Sequence, residues 1–356
     1  MDPEKASFSI SGNLEKLQIG NDGFTEVYSI KSNTEWKFVN ETDQSWVTIS
    51  PVKGSGNGTV TITANANTGT GRTAVFRVVP NGVKTQEIEI IQGNSYIPTT
   101  DGEFPIIAWT GVEADKSLEK FPVMKASGIN IYLGWYDDLE TTLKVLDAAQ
   151  KTGVKMITSS KDLLSVATAE EVVKAMMNHP ALYAYHLKDE PEVNDLPGLG
   201  ELVKKIKTID SHHPCYINLY PNWAWGKELY SENVNLFIEQ VPVPFISFDN
   251  YPIVSINGAP SITRPDWYRN LEEISAAAKE SNKPFWAFAL ALSHKLDETH
   301  FYKIPTLPEL RLQVFSDLAY GAQAIQYFTY RGLQHDDPTE VYDLVKTVNQ
   351  EVQQLA

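Results

Sequence analysis

The sequence predicts a two-domain protein, in which a small antiparallel β-sandwich precedes an α/β barrel of eight βα units. At 356 residues the chain is long enough for two domains, one of them a large barrel. Its composition changes near residue 100, where a region rich in Ser, Thr, Asn and Gly gives way to alternating strand and helix patterns. Eight strand-like segments then follow at intervals that each leave room for one helix.

Residues 7–92 have the pattern of short strands in an antiparallel sheet. Apolar and polar residues alternate in segments such as 59–63 and 74–79, with no helical periodicity. Turn-forming Gly, Asn, Pro and Ser separate these segments, for example at 53–58 and 80–82. Short strands at this spacing are typical of a small β-sandwich.

Eight segments beyond residue 104 have the composition of buried strands, and a helical segment separates each from the next. The predicted strands are 105–110, 129–134, 154–158, 182–187, 215–220, 245–249, 284–289 and 324–329. Leucines at helical spacing mark an apolar helix face, as at Leu139, Leu143 and Leu146. Eight βα units predict a closed (β/α)8 TIM barrel. A doubly wound sheet would need a Gly-rich loop after its first strand, and 109–112 is not one.

Composition excludes several classes of function. The net charge is −15, from 30 basic and 45 acidic residues, and no Lys/Arg cluster stands out, which argues against nucleic acid and anionic membranes as partners. No apolar run approaches the roughly 20 residues that cross a bilayer. Cys215 is the only cysteine, so the fold uses no internal disulfide and no cysteine-based zinc site. No cofactor is expected.

The segment 183–191, Tyr-Ala-Tyr-His-Leu-Lys-Asp-Glu-Pro, joins a buried strand to two acids. Its alternating pattern predicts a strand, and Pro191 cannot donate to a continuing ladder, so the strand ends there. Barrel enzymes keep their chemistry at the C-terminal ends of strands. Glu190 is therefore the first candidate catalytic residue. The alternative interpretation is a solvated acid pair that opens a loop.

Polar and aromatic residues also gather at the other predicted strand ends. Aromatic faces stack on the C–H faces of sugar rings, while carboxylates and amides hydrogen-bond the hydroxyls, so the combination indicates a carbohydrate site. Any one aromatic ring taken alone is better explained by core packing, and it is the concentration at strand ends that favours a site. The candidate substrate-binding residues are Trp109, Trp135, His186, Lys188, Asp189, Asn218, Tyr220, Tyr251, His294, Tyr327 and Tyr330.

The N-terminal segment resembles the BACON domain, an immunoglobulin-like module that often precedes glycan-degrading enzymes in Bacteroidetes. The resemblance is carried by Trp36 and by segments 45–51, 54–57, 65–67, 71–73 and 90–92. It implies an immunoglobulin-like sandwich over residues 1–97, a linker at 98–103, and contact with glycans or a plain spacer role. It also implies an extracytoplasmic bacterial protein (periplasmic, cell-surface or secreted) whose leader peptide has been removed. Trp36 and Trp46 are expected in the core, because sandwiches bury a tryptophan.

Residues 104–356 resemble the clan A glycoside hydrolases, and more closely a group of bacterial barrels described as β-galactosidase-like. The resemblance is carried by segments 186–191, 214–221, 246–252, 284–294 and 318–330. It implies hydrolysis of a glycosidic bond in an oligosaccharide or polysaccharide, with a β-galactoside as the implied substrate and Glu190 as general acid. Asp189 departs from the family pattern, which has Asn before this glutamate.

A larger departure lies at the end of the seventh strand, where the family has a nucleophilic glutamate and 285–294 contains no carboxylate. Asp249, at the end of strand six, is the best-placed second catalytic carboxylate. Because strands four and six are not neighbours, we expect the wider carboxyl separation of an inverting enzyme. Asp297 and Glu298 are alternatives if their loop folds over the site. A barrel that binds glycans without cleaving them is the second hypothesis.

No metal site is expected from the histidines. His212 and His213 lack a third ligand at a supporting spacing. A loop site formed by His294, His300 and Asp297 has weak support, because site geometry does not follow from such spacing. Ser-His-Asp catalysis is also disfavoured, since no Gly-x-Ser-x-Gly elbow is present.

Overall fold

The chain forms two compact units, Met1–Tyr96 and Ile97–Ala356. The computed structural model describes residues 6–12, 14, 16–19, 23–67, 72–92, 103–210, 212–226 and 228–355. Of the predicted linker 98–103, all but Glu103 lies outside the described residues. Each unit has its own hydrophobic core.

The described part of the N-terminal unit consists of nine short strands in two sheets. The strands are β1 (Phe8–Ile10), β2 (Lys16–Ile19), β3 (Phe24–Ser32), β4 (Glu35–Asn40), β5 (Val47–Ser50), β6 (Lys53–Ser55), β7 (Gly58–Ala64), β8 (Arg72–Pro80) and β9 (Gln86–Gln92). One sheet has the order β1-β3-β7-β5 and the other β2-β9-β8-β4-β6. Buried and exposed residues alternate along β4, β5 and β8, as expected for sheets with one face in a shared core.

Two tryptophans lie in the core of this unit, as predicted. Trp36 and Trp46 are 4% and 7% exposed. The indole of Trp36 donates to the carbonyl of Gly56 at 3.0 Å. Gly54 lies against the same ring, and a Cβ at that position would come within 2.3 Å of it. The guanidinium of Arg72 covers the Trp46 ring at 4.5 Å from its centroid.

The described part of the C-terminal unit contains twelve strands, nine α-helices and three short 3-10 helices. The strands are β10 (Ile106–Trp109), β11 (Ile131–Trp135), β12 (Lys155–Ser159), β13 (Leu182–Asp189), β14 (Cys215–Leu219), β15 (Ile246–Phe248), β16 (Ile253–Ile256), β17 (Ile262–Thr263), β18 (Phe285–Leu290), β19 (His294–Lys295), β20 (His300–Tyr302) and β21 (Ala322–Phe328). The α-helices are α1 (Ser117–Ala126), α2 (Leu139–Thr152), α3 (Ala169–Met176), α4 (Leu196–Ile209), α5 (Tyr230–Gln240), α6 (Pro265–Ser281), α7 (Leu307–Tyr320), α8 (Tyr330–Leu333) and α9 (Glu340–Leu355). The 3-10 helices are Ala114–Lys116, Lys161–Leu164 and Val193–Asp195.

Eight parallel strands close into a barrel in the order β10-β11-β12-β13-β14-β15-β18-β21. The first and last strands pair with each other, and Trp109 lies opposite Phe328. Each of these strands overlaps one of the eight predicted segments. The predicted fold class, an antiparallel sandwich followed by a (β/α)8 barrel, is therefore confirmed.

Alternate side chains of the barrel strands enter two separate apolar clusters. One fills the barrel interior and includes Tyr216, Phe245 and Trp286. The rings of Phe245 and Trp286 stack there with centroids 3.7 Å apart. The other cluster lies between the strands and the surrounding helices. Strands buried on both faces read as continuous apolar runs, which explains a sequence such as Phe-Trp-Ala-Phe-Ala-Leu in β18.

Local sequence signals fix where the helices begin and end. The carboxylate of Asp138 accepts a hydrogen bond from the amide of Thr141 at 2.7 Å and caps the start of α2. The same helix ends at Gly153, whose φ of 72° is the left-handed conformation that glycine adopts without steric cost. Such caps set the position of the next strand and hence of the residues at its end.

A small antiparallel sheet forms from the loops after β15 and β18, with the order β17-β16-β20-β19. Tyr302 pairs with Val254 in this sheet and also with His294. Because both loops leave the C-terminal ends of barrel strands, the sheet lies at the mouth of the barrel. It brings Tyr302 and His294 to the candidate site.

Candidate active site

An open pocket of about 210 Å³ lies at the C-terminal ends of the barrel strands. Its walls combine three carboxyls and two amides with six aromatic rings and one imidazole. The lining residues are Trp109, Asp189, Glu190, Asn218, Pro221, Trp223, Asp249, Asn250, Tyr251, Phe288, His294, Leu296, Tyr302 and Phe328.

Glu190 follows the last residue of β13, and its side chain is half-buried in this pocket. Its φ of 49° is left-handed, a conformation that costs a residue other than glycine roughly 1–2 kcal/mol. The amide of Glu190 donates to the carbonyl of Asn218 at 2.8 Å and holds the backbone in this conformation. The register between β13 and β14 also shifts between His186 and Lys188, just before the acid pair. The strand end is therefore bent where Glu190 enters the pocket.

Asn218, near the end of β14, joins two of the carboxylates. Its Nδ2 donates to Oδ1 of Asp249 at 2.9 Å and to Oδ1 of Asp189 at 3.2 Å. The two accepting oxygens can lie no farther apart than the sum of these distances. Since Asp249 directly follows β15, three consecutive barrel strands deliver the acids and the amide to one place.

A chain of buried side chains fixes the orientation of the Asn218 amide. The hydroxyl of Ser247 donates to Oδ1 of Asn218 at 2.9 Å, and Nε2 of Gln326 donates to Oγ of Ser247 at 2.8 Å. The hydroxyl of Tyr216 donates to Oε1 of Gln326 at 2.8 Å. We call these four residues the donor chain. Because the carbonyl oxygen of Asn218 is occupied by Ser247, both of its N–H groups are directed to carboxylates.

Burial raises the pKa values of all three acids. Burial raises the pKa of Glu190 to about 7, and the charges of Asp189 and Glu192 add to the effect. Burial, together with the charges of Glu190 and Asp189, raises the pKa of Asp249 well above its ordinary range, while the hydrogen bond from Asn218 opposes the shift. Burial also raises the pKa of Asp189, again against Asn218. Closely spaced acids titrate as a set, so we infer that the cluster retains a proton at neutral pH.

The hydrogen bonds distinguish Glu190 from the two aspartates. Asp249 and Asp189 each accept a hydrogen bond from Asn218. Within the described ranges, no group donates to the carboxyl of Glu190. Hydrogen bonds to a carboxylate favour its ionised form. The bonds from Asn218 thus oppose the rise in the pKa of Asp249 and of Asp189, whereas Glu190 has no such donor among the described residues.

Tyr251 and its neighbours form an aromatic wall. The ring of Tyr251 lies 5.6 Å from that of Tyr302 and 5.6 Å from that of Phe328, between centroids. Burial and the charge of Asp249 raise the pKa of Tyr251 well above its ordinary value. Its hydroxyl therefore stays protonated and can donate a hydrogen bond to a bound molecule.

Trp223, in the loop after β14, forms a second wall. The guanidinium of Arg264 lies 4.5 Å from the centroid of the Trp223 ring. Arg264 is itself fixed by the carboxylate of Asp266 at 3.1 Å and by the hydroxyl of Tyr302 at 3.1 Å. This contact holds the indole in one orientation at the pocket.

Seven of the thirteen predicted site residues line the pocket, namely Trp109, Asp189, Glu190, Asn218, Asp249, Tyr251 and His294. Trp135 is 49% exposed and lies beside it, in edge contact with Trp109 at 5.9 Å. His186 is buried, and its ring stacks on that of Trp135 at 5.7 Å. Burial lowers the pKa of His186 to about 4, so its ring is neutral. It supports the two tryptophans rather than lining the pocket.

Two further predicted residues lie outside the pocket wall near Glu190. Lys188 is exposed and lies 3.7 Å from the carboxylate of Asp195. Tyr220 is partly exposed, and its hydroxyl lies 3.4 Å from the carboxylate of Glu192. Both are placed to contact only a ligand that extends beyond the pocket.

The structure does not bring Tyr327 and Tyr330 to the pocket. Tyr327 is fully buried, and its hydroxyl donates to Asn349 in α9 at 2.7 Å. Tyr330 is also buried, with its hydroxyl 3.2 Å from the carbonyl of Lys120. Side chains alternate along a strand, so in β21 it is Phe328 that faces the pocket while Tyr327 faces the helices.

The end of β18 supplies no carboxylate. The nearby acids, Asp297 and Glu298, make their contacts within their own loop. Asp297 accepts hydrogen bonds from the amides of Thr299 and His300 at 2.7 and 2.8 Å. Glu298 is exposed and pairs with Lys295 at 2.8 Å. Neither acid lines the pocket. Their loop does reach over the site, because Leu296 lines the pocket, but it brings neither of these two carboxylates there.

Among the residues that the structure describes, no group of three His, Cys, Asp or Glu side chains is arranged to hold a metal ion. His213 bonds the carboxylate of Asp210 at 2.7 Å, and His300 bonds that of Asp297 at 2.8 Å. In the same described ranges, none of the helices combines the length and apolar composition needed to span a membrane.

Residues 34–93 match the BACON family, which is described as "Putative binding domain, N-terminal". This match confirms the resemblance on which the N-terminal domain was predicted. No protein among those with curated functions matches the sequence significantly.

The solved structures that are similar to this chain include two that cover about the length of the barrel. A "putative alpha-L-fucosidase" from Bacteroides thetaiotaomicron is 11% identical, with 73% of this chain and 98% of that chain covered and a TM-score of 0.52. A β-galactosidase from the psychrophilic Marinomonas ef1 is also 11% identical, with 71% of this chain and 60% of that chain covered and a TM-score of 0.52. At this identity the similarity shows the fold alone. The C-terminal unit thus shares its fold with barrels of the glycosidase class.

Proposed function

We propose that the barrel hydrolyses glycosidic bonds, with Glu190 as the general acid. The main support is the cluster of Glu190, Asp189 and Asp249 in a pocket walled by aromatic rings. Glycoside hydrolysis needs two carboxyls in different protonation states. A pKa of about 7 leaves roughly half of the Glu190 carboxyls protonated near neutral pH, and this protonated fraction can give a proton to the leaving oxygen.

Asp249 is the proposed second carboxylate. In the reaction it accepts a proton from a water molecule that attacks the anomeric carbon, while Glu190 protonates the departing oxygen. The bond from Asn218 stabilises the ionised form of Asp249 that this role requires. Because β14 separates the strands that carry the two acids, inversion is expected. Proton NMR of the first product tests this: the inverted anomer supports a base, and the retained anomer would make Asp249 a nucleophile.

A panel of aryl glycosides, including β-galactosides and fucosides, tests the activity through release of the aglycone. Glu190→Gln should lower turnover of the best substrate by about 10²–10⁴-fold. Glu201→Gln is a matched control, because it removes the same charge from an exposed position on α4. Unchanged turnover in Glu190→Gln would remove this residue from the mechanism.

The absence of a carboxylate at the end of β18 supports a second candidate, a glycan-binding protein without hydrolytic activity. In that case the raised pKa of Asp249 makes its carboxyl a hydrogen-bond donor to a sugar hydroxyl. Calorimetry with oligosaccharides distinguishes the two functions. Binding without any product after long incubation would favour the second candidate.

We also propose that the protein acts outside the cytoplasm and that its N-terminal unit contacts glycans. The support is the match of residues 34–93 to a family described as a binding domain. Retention of the full chain on insoluble polysaccharide, and its loss when the N-terminal unit is removed, would support binding by that unit. Equal retention of both forms would favour a spacer.

A further inference from the structure

A second pocket, of about 260 Å³, opens at the C-terminal ends of β10 and β21. Its lining residues are Gly111, Glu113, Lys120, Arg331, Gln334, His335 and Asp336. Trp109 and Phe328, which pair across these strands, line the first pocket. Gly111 and Arg331 follow them by two and three residues along the chain. The two pockets therefore lie beside each other at the mouth of the barrel, and the hydrolytic mechanism makes no use of the second.

Lys120 brings a buried ammonium group to this second pocket. Its side chain is 4% exposed, and Nζ lies 2.7 Å from the carboxylate of Glu113. An ammonium group has three donors, and within the described ranges Glu113 is its one partner. Since a buried charge is costly unless its donors are satisfied, a ligand at this position would be stabilised.

Arg331 adds a guanidinium group that has no ion pair within the described residues. The backbone of Arg331 packs closely against Gly111. A Cβ on that glycine would lie 2.6 Å from the backbone nitrogen of Arg331. Gly111 also has a φ of 110°, which disfavours other residues. The close approach of the two loops thus holds Arg331 at the pocket.

Gln334 supplies a neutral donor to the same pocket. Gln334 is 3% exposed, and its side-chain oxygen accepts a hydrogen bond from the hydroxyl of Tyr330. The side-chain nitrogen of Gln334 has no partner in the described part of the chain. It is therefore the group of this side chain that is available to a ligand. The pocket therefore offers donors from two cations and one amide.

The two acids of this pocket are already paired with lysines. Glu113 bonds Lys120, and Asp336 bonds Lys116 at 3.0 Å with its own side chain 90% exposed. The unpaired Arg331 is thus a local positive site in a chain whose net charge is −15.

We propose that this second pocket binds an anionic substituent, either a carboxylate or a sulfate ester, on the glycan held in the first pocket. The inference rests on the proposed glycan-hydrolysing function and narrows its substrate class to acidic glycans. The planar guanidinium of Arg331 bonds two oxygens of the anion, as arginine does with carboxylates and phosphates. Lys120 and Gln334 donate to the remaining oxygen atoms.

Ligand-observed NMR on the full chain tests the proposal with three probes: methyl β-glucuronide, galactose 6-sulfate and uncharged methyl β-glucoside. At least one charged probe should bind more tightly than the glucoside, and its affinity should fall as salt is added. Arg331→Gln should weaken that binding by about tenfold, the loss expected for one charge-assisted pair. Arg311→Gln is the control, because this arginine is paired with Glu351 between α7 and α9 and should leave binding unchanged.

The probe that binds identifies the anion as carboxylate or sulfate. Charged probes that bind no better than the glucoside, or an Arg331→Gln variant that binds like wild type, would overturn the proposal. Because no turnover is needed, the same measurement on Glu190→Gln separates this inference from the proposed hydrolysis. If the barrel is inactive but a charged probe still binds, the anion site alone is supported. If neutral glycosides are hydrolysed but no charged probe binds, the anion site alone is overturned.

Discussion

Glu190 and Asp249 share one pocket, but the barrel surrounds them differently. Glu190 lies at a bent strand end with a φ of 49°, and no described group donates to its carboxyl. Asp249 accepts a hydrogen bond from Asn218, the last member of the donor chain. Burial raises the pKa of both acids, and only Asp249 is given a donor that opposes the shift.

In the proposed mechanism, this difference would let one barrel use two carboxyls as an acid and a base. Desolvation favours the protonated form of both acids, and the bond from Asn218 opposes this effect at Asp249 but not at Glu190. The selectivity comes from β14, β15 and β21, which carry the donor chain, and not from β13, which carries Glu190. Substituting the acids and the donor chain one residue at a time tests whether hydrogen bonding separates Glu190 from Asp249.

The largest effect is expected from Asp249→Asn, which removes the proposed base and leaves Glu190 in place. Turnover should fall by about 10²–10⁴-fold, and added azide should restore part of it where a small anion can replace the carboxylate. Asp137→Asn is a control, because Asp137 is an exposed acid at another strand end. Near-normal turnover in Asp249→Asn, with only weaker substrate binding, would show that Asp249 binds a hydroxyl and that the base lies elsewhere.

A smaller loss is expected from Asn218→Leu, which removes the donor and keeps both acids. Loss of a hydrogen bond to a charged group costs about 1.5–3 kcal/mol, so turnover should fall roughly 10–100-fold. Because Asp249 would then ionise at higher pH, the acid limb of the pH–rate profile should move upward. An unmoved profile in a folded variant would contradict the assigned role of Asn218.

Ser247→Ala should have a still smaller effect, because it acts on the carboxylates only through Asn218. Without the hydroxyl of Ser247, the Asn218 amide loses the contact that fixes its orientation. We expect a loss in turnover of about tenfold or less, as for one neutral hydrogen bond, with the profile shifted in the same direction. Ser281→Ala, at the end of α6, is the control and should leave the profile unchanged. A loss of turnover with no shift in the profile would point to a structural role for Ser247.

The fold and the positions of Glu190 and Asp249 at strand ends could be predicted from the sequence. Eight apolar segments with helical spacers define the barrel, and the acid pair before Pro191 marks a strand end without any structure. Of the donor chain, Asn218 was a predicted site residue, and the other three members were not predicted. Ser247 and Gln326 each stand inside a segment that reads as a buried strand, and their partners lie 29 and 79 residues away along the chain.

Several residues of the pocket wall could not be predicted from the sequence either. Tyr327 was predicted in place of Phe328, because two adjacent aromatics on β21 carry no local signal of which one faces inward. Phe288 is a similar case in β18, where every residue is buried. Tyr302 and Leu296 belong to a loop whose antiparallel pairing brings them to the pocket. The periodicity of the barrel strands does not predict the conformation of such a loop.

The smallest effect concerns stability and needs no substrate. Folding raises the pKa of Glu190 from 4.5 to about 7, so its favourable contribution is complete below pH 4.5 and is lost as the pH rises through 7. Glu190→Gln should therefore melt like the wild type at pH 4 and at a higher temperature at pH 8, by about 2–4 °C for each kcal/mol recovered. Glu201→Gln, which removes an exposed charge, should show the same difference from wild type at both pH values. If Glu190→Gln behaved like Glu201→Gln, the charge of Glu190 would not be desolvated, and its protonation at neutral pH would lose its physical basis.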